Sequence, residues 1–153
     1  MIQRIQTLFL LLTAIITGLL FFMPVALLIV PTGDTYAFYT TKVLQTGEEP
    51  IFIAYNWMSF ILNLLITALP LVTLFLYKKR FLQLRLCMMN IILLLGMLVL
   101  MWIQVSNRME EIDAQRQIQL AFCFPLVGVI LTWLALRGII KDIAILKSYD
   151  RIR

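Results

Sequence analysis

Histidine is absent from all 153 residues. Its absence removes histidine-ligated haem, most zinc sites and histidine-based acid–base catalysis. Cysteine is nearly absent too: Cys87 and Cys123 are the two. Cys87 falls at the inner end of one apolar stretch and Cys123 near the outer end of the next. Some 18 residues of helix, roughly 27 Å at 1.5 Å per residue, separate those depths, and a disulfide needs Cα atoms within about 7 Å. Two plain thiols are expected. No glycine-rich phosphate loop or Walker pattern occurs. Charge is also scarce: 14% of residues are charged, against about 25% in soluble domains.

What is abundant is apolar surface, at 62% of residues. Residues 5–33, 50–77, 86–107 and 117–136 carry no Asp, Glu, Lys or Arg. A helix crosses a bilayer with about 20 mostly apolar residues, so each stretch is long enough. Together they take about two thirds of the chain and leave little for a separate soluble domain. The expectation is one integral membrane domain over 1–153, all-α, a four-transmembrane-helix bundle. Its helices fall at about 2–28, 56–77, 82–106 and 120–149, its outer loops at about 32–55 and 107–119, and its inner loop at about 78–81. The first stretch is too long for a signal-peptide apolar region and lacks a small-x-small cleavage site, so it reads as an uncleaved helix.

The charges between the stretches are sorted by sign. One side collects Arg4, Lys78, Lys79, Arg80, Arg85, Arg137, Lys141, Lys147, Arg151 and Arg153 against Asp142 and Asp150. The other holds Lys42, Arg108 and Arg116 against Asp34, Glu48, Glu49, Glu110, Glu111 and Asp113. Basic residues in short loops mark the cytoplasmic side, so both termini are expected there. The net charge of +5 is then explained by topology, and nucleic-acid binding is not expected. Tryptophans agree: Trp57 and Trp102 fall at the outer side, Trp133 and Tyr77 near the inner side, as interfacial aromatics do.

Local signals refine this frame. Segments 35–44 and 51–55 are rich in aromatic and β-branched residues and flank turn chemistry at 45–50, which reads as a small β-hairpin in the first outer loop. Pro70 should kink the second helix by freeing the Ile66 carbonyl, with Thr67 or Thr73 near enough to help satisfy it. Asn107 and Glu110 resemble a capping pair for a short helix over 109–117. Beyond Arg137, Ile139, Ile140, Ile143 and Leu146 recur at helical spacing, so an amphipathic C-terminal extension should lie on the membrane surface or the inner loop.

No ionisable residue lies inside an expected span, which argues against proton-coupled transport. The small exporters that depend on a membrane-embedded glutamate, the oxidoreductases that need cysteine pairs, and claudin-like adhesion proteins with a cysteine pair in the first loop are all poor matches. Asn63, Thr67 and Asn90, with Thr13, Thr17, Thr73 and Thr132, are the polar groups left inside. The plain reading is interhelical glue; the sharper one is a permeation path lined by Asn63 and the threonines. The basic residues sort topology in the plain reading and hold anionic headgroups in the sharper one. The outer acidic residues lack calcium-loop spacing. No cofactor, metal or catalytic residue is expected.

The opening Met1-Ile2-Gln3-Arg4-Ile5-Gln6-Thr7 and the closing Arg137-Gly138-Ile139-Ile140-Lys141-Asp142 through Lys147-Ser148-Tyr149-Asp150-Arg151-Ile152-Arg153 resemble an uncharacterised membrane family of Bacteroidetes, domain of unknown function 4293. The resemblance covers the whole chain and implies a bacterial inner membrane, but carries no activity, substrate or cofactor. The functional expectation is a non-enzymatic accessory or scaffold subunit. It would dock a protein partner or anionic lipid at a cytoplasmic face formed by Arg4, Lys78, Lys79, Arg80, Arg85, Arg137, Lys141, Lys147, Arg151 and Arg153. The alternative is a small channel or carrier for an uncharged or lipid-like solute. Homo-oligomerisation is left open.

Overall fold

The computed structural model describes residues 2–31, 34–46, 51–76, 79–111 and 114–150, with side chains for 5–31, 34–46, 53–76, 79–111 and 114–145. The chain begins with helix α1 (Ile2–Leu19) and passes through four strands, β1 (Pro24–Ile29), β2 (Thr35–Tyr39), β3 (Lys42–Thr46) and β4 (Ile51–Tyr55). Helix α2 (Trp57–Phe75) and helix α3 (Arg80–Glu111) follow. Strand β5 (Gln115–Ile118) and a 3₁₀ turn (Leu120–Cys123) lead into helix α4 (Phe124–Asp150).

The strands form one antiparallel sheet in the order β4-β3-β2-β1-β5, so the all-α expectation is wrong. The error begins in the first charge-free stretch. Helix α1 stops at Leu19, its last turn tightened by Leu20 N–H bonding to the Thr17 carbonyl and Phe21 N–H to that of Gly18. Pro24 then opens β1, whose Val25, Ala26 and Leu28 are buried. A strand buried this deeply reads as an uninterrupted apolar run, indistinguishable by composition from more helix. The expected bundle of four transmembrane helices is corrected with it. Among the described residues, three helical segments are long and apolar enough to cross a membrane: Trp57–Phe75, Arg80–Glu111 and Leu120–Ile145; the apolar helix Ile5–Leu19 is shorter.

The expected hairpin is part of a larger structure. β3 pairs with β4, but β2 and β3 also form a hairpin about Thr40 and Thr41, and β1 joins both β2 and β5. Among the described residues of 109–117 there is no separate short helix: α3 runs through Asn107 to Glu111, and β5 pairs with β1 from Gln115 to Ile118. At 32 residues, α3 is roughly 48 Å long, well beyond a hydrocarbon core of about 30 Å. Its surplus carries the chain up to the sheet.

The helices pack around a common axis, with α1 against α2 and α4, and α3 against the same two. The sheet lies across the end where α1 and α3 finish and α2 and α4 begin. Thr40 donates its hydroxyl to the Leu20 carbonyl, Asn56 its amide to the Tyr39 carbonyl, and the Gln119 N–H reaches the Val25 carbonyl. Val25, Ala26, Leu28, Phe38 and Val43 of the sheet join Leu20, just past α1, and Ile66, Leu94, Met97, Met101 and Val105 of the helices in one core. A second cluster, Leu10, Cys87, Ala135 and Ile139, closes the opposite end.

Polarity is inverted relative to a water-soluble protein. Ile61, Leu64, Leu65, Val72 and Phe75 of α2 face outward, as do Met88, Met89, Ile92, Leu95, Val99 and Ile103 of α3. Thr13, Thr17, Asn63, Asn90 and Thr132 face inward and are at most 2% exposed. Contiguous apolar exteriors on this scale are uncommon in soluble monomers. With three helices of spanning length, they mark a membrane protein.

Pro70 is buried within α2, but neither neighbouring hydroxyl serves the Ile66 carbonyl. Thr67 donates to the Asn63 carbonyl and Thr73 to that of Leu69. α4 continues as one helix to Asp150, with Ile139 and Asp142 buried and Ile140 and Lys141 exposed.

Candidate functional site

Two polar groupings emerge, one at the end of the helices away from the sheet and one on their axis. The first is built by the tight passage from α2 to α3. Gln83, one turn into α3, donates its amide to the Thr73 carbonyl at 2.9 Å, tying the two helices where they meet. On the neighbouring turns Arg80 and Lys79 part company. Arg80 points toward α4, 3.8 Å from the Asp142 carboxylate. Lys79 and Arg85 stay exposed and, with Phe81 and Leu82, line a surface recess of about 400 Å³. Two cations over two exposed apolar side chains make an amphipathic floor.

Asp142 is the least obvious member of this end. It is 7% exposed and accepts a hydrogen bond from the Gln6 amide at 2.9 Å. α1 and α4 approach closely here because residue 138 is glycine: a Cβ would lie 2.8 Å from Gln6 Cγ. Arg137 takes another direction, its guanidinium 4.8 Å from the centre of the Trp133 ring. A cation stacked on tryptophan at this range gains about 0.5–1 kcal/mol when exposed. Lys141 is exposed on the same helix. The basic cluster of the sequence is thus divided: Lys79 and Arg85 share one recess, Arg80 is drawn inward, and Arg137 is stacked. The side chains of Arg4, Lys78, Lys147, Arg151 and Arg153 lie outside the described residues.

The second grouping is a seam of amides and hydroxyls along the helix axis. Thr17 and Thr67 hydroxyls meet at 3.2 Å between α1 and α2. Asn90 donates to the Thr132 hydroxyl at 3.3 Å between α3 and α4, and Thr132 donates to its own helix at the Gly128 carbonyl. Toward the sheet, Ser59 donates to Gln104 at 2.6 Å. Asn63 sits one turn further in, fully buried, and neither its Nδ2 nor its Oδ1 has a protein partner; the Asn90 Oδ1 is likewise unpaired. The structure therefore places Thr67 and Asn90 at polar contacts between helices and leaves Asn63 without one.

A family model described as a domain of unknown function (DUF4293) matches residues 2–152. The chain belongs to this family. No curated protein matches it significantly. In this DUF4293 chain the sequence signal that located the basic end was charge sorting. The partners that organise that end, Gln6 and Asp142, gave little signal. A single glutamine in an apolar helix and an aspartate among lysines look like solvated residues until α1 is laid against α4. Gly138, one turn before Asp142, was the available hint of close approach.

The sheet end offers a smaller apolar notch of about 160 Å³ between Thr41, Tyr55, Trp57 and Phe60. Arg116 of β5 lies 4.2 Å over the Trp102 ring, fixing the exposed strand to α3. Cys87 is buried and Cys123 exposed, and both are free thiols.

Proposed function

We propose that this protein is a multi-pass protein of a bacterial inner membrane, non-enzymatic, and an accessory or scaffold element that engages anionic phospholipid through its basic, cytoplasmic end. The observation that carries this reading is the recess at the start of α3, where Lys79 and Arg85 flank Phe81 and Leu82. Phosphate prefers the two cations, and the acyl region prefers the exposed Phe81, which is 73% accessible. The charge bias supports the orientation. Gln6 near the start of α1 bonds Asp142 toward the end of α4, which supports both chain termini on that same side. A protein partner on the basic face would use the same cations, together with Lys141.

Each basic residue at an anionic surface contributes about 1 kcal/mol, so replacing both Lys79 and Arg85 by Gln should weaken binding of phosphatidylglycerol roughly 30-fold while leaving phosphatidylcholine unaffected. Native mass spectrometry of the purified protein, titrated with each lipid, reads this directly. Equal retention of both lipids by the natural chain would refute the reading. A stoichiometric co-purifying protein that survives the double substitution would move the docking surface elsewhere.

A further inference from the structure

The orphaned amide of Asn63 has a consequence beyond docking at the basic end, and it stands independently of that reading. Asn63 is 0% exposed, on the inward face of α2 with Ser59, Ile66, Pro70 and Thr73. Its carboxamide offers one acceptor and a two-proton donor, and no protein group meets either. Further toward the basic end, Asn90 keeps a free acceptor at Oδ1 while its Nδ2 is engaged with Thr132. Between them the hydroxyls are committed as donors to backbone carbonyls: Thr17 to Thr13, Thr67 to Asn63, Thr132 to Gly128. The Thr132 oxygen already accepts from Asn90, and the Thr17 oxygen lies 3.2 Å from that of Thr67. In helices whose outer faces are apolar, a leucine would fill the position of Asn63 without unmet hydrogen bonds. Buried polar groups in folded proteins are almost always paired.

We propose that Asn63, with Asn90 and the hydroxyls of Thr17 and Thr67, forms an intramembrane site for a small uncharged guest that both donates and accepts hydrogen bonds. The chemistry follows from the inventory. The free groups are two acceptors, Asn63 Oδ1 and Asn90 Oδ1, and the donor Asn63 Nδ2, with a second proton left on Asn90 Nδ2, so the guest must both donate and accept. Among the described residues no ionisable side chain of oxygen or nitrogen type lies on this part of the axis; Arg80 and Asp142 stand at its basic end and face each other. A charged guest would have no counter-charge. Water and small amides or polyols share the required chemistry.

The test uses the full chain in phosphatidylcholine nanodiscs, labelled with 15N only at asparagine. Four residues report: Asn56, Asn63, Asn90 and Asn107. The Asn63 side-chain amide is expected to show a cross-relaxation peak to water, or a shift that saturates on titration with urea or glycerol. A water peak with no saturable shift identifies water as the guest; a saturable shift identifies the solute. Asn63→Leu should then abolish the saturable shift, or the water contact, at Asn90. Absence of both signals at Asn63 in the natural chain overturns the proposal, and this holds whether or not the Leu variant folds. An Asn90 resonance that responds identically in Asn63→Leu would also overturn it.

Discussion

Replacing Gly138 by Ala adds one methyl group, and the structure says what that methyl meets. Its Cβ would lie 2.8 Å from Gln6 Cγ and 3.1 Å from Gln6 Nε2. The first contact is closer than real Cβ atoms tolerate, so Gln6 must move. Moving it pulls Nε2 away from Asp142, at present 2.9 Å distant. Asp142 is then left, buried, with Arg80 at 3.8 Å. Losing a hydrogen bond to a charged group costs about 1.5–3 kcal/mol. The Gly-to-Ala gain in helix propensity returns about 0.8–1 kcal/mol. The net expectation is a loss of about 1–2 kcal/mol, read as a shift in the midpoint of reversible denaturation in detergent micelles. The mechanism is exposed by a double-mutant cycle. In a Gln6→Ala background both the clash and the bond are already gone, so Gly138→Ala should be neutral or stabilising by up to about 1 kcal/mol. Gly96→Ala is the control: nothing lies within 4 Å of its added Cβ, and it should not destabilise. An equal loss for Gly138→Ala with and without Gln6 would refute the reasoning.

Two further outcomes follow from the same geometry. Thr132→Val removes the acceptor of Asn90 Nδ2 and leaves that whole amide unpaired, which should cost about 0.6–1 kcal/mol; in an Asn90→Leu background the same substitution should cost little. Arg80→Gln takes the cation away from the buried Asp142 carboxylate, 3.8 Å distant, and leaves Gln6 as its remaining partner, so it should destabilise by about 1 kcal/mol or more in the same assay.

The membrane character of the chain was legible because it depends on long averages: charge-free runs and the sorting of cations are insensitive to local detail. The sheet was not, for three separate reasons. In β1, Val25, Ala26 and Leu28 are buried against both helices and neighbouring strands, so the strand lacks the alternation that marks a strand with one wet face. In β2 and β3 the aromatic and β-branched signal was present, but it read as a single segment over 35–44, because the turn at Thr40 and Thr41 has no glycine or proline to announce it. In β5, Gln115-Arg116-Gln117-Ile118 is exposed at every position and has no pattern of its own; pairing with β1 imposes the strand. Sheet formation here is a tertiary effect that propensity cannot anticipate. The axial site was half legible. Asn63 and Asn90 stood out as amides within apolar runs, and helical spacing placed both inside. Which of them would find a partner depended on the register of α3 against α4, where Gly128 faces Leu94, and no local pattern encodes that. The inward turn of Arg80 and burial of Asp142 were hidden for the same reason: they arise from α1, α3 and α4 meeting at one end.

The central claim is that the membrane separates the sheet end from the basic end. Single cysteines at Gln117, exposed on β5, and at Lys141, exposed on α4, in a Cys123→Ser background, test it with a membrane-impermeant maleimide. Cys87, 1% exposed, should stay silent until denaturation. The account predicts that the position-117 thiol labels only in right-side-out membrane vesicles and the position-141 thiol only in inverted ones. Labelling of both from one side, or recovery of the protein in the aqueous fraction without detergent, would contradict it.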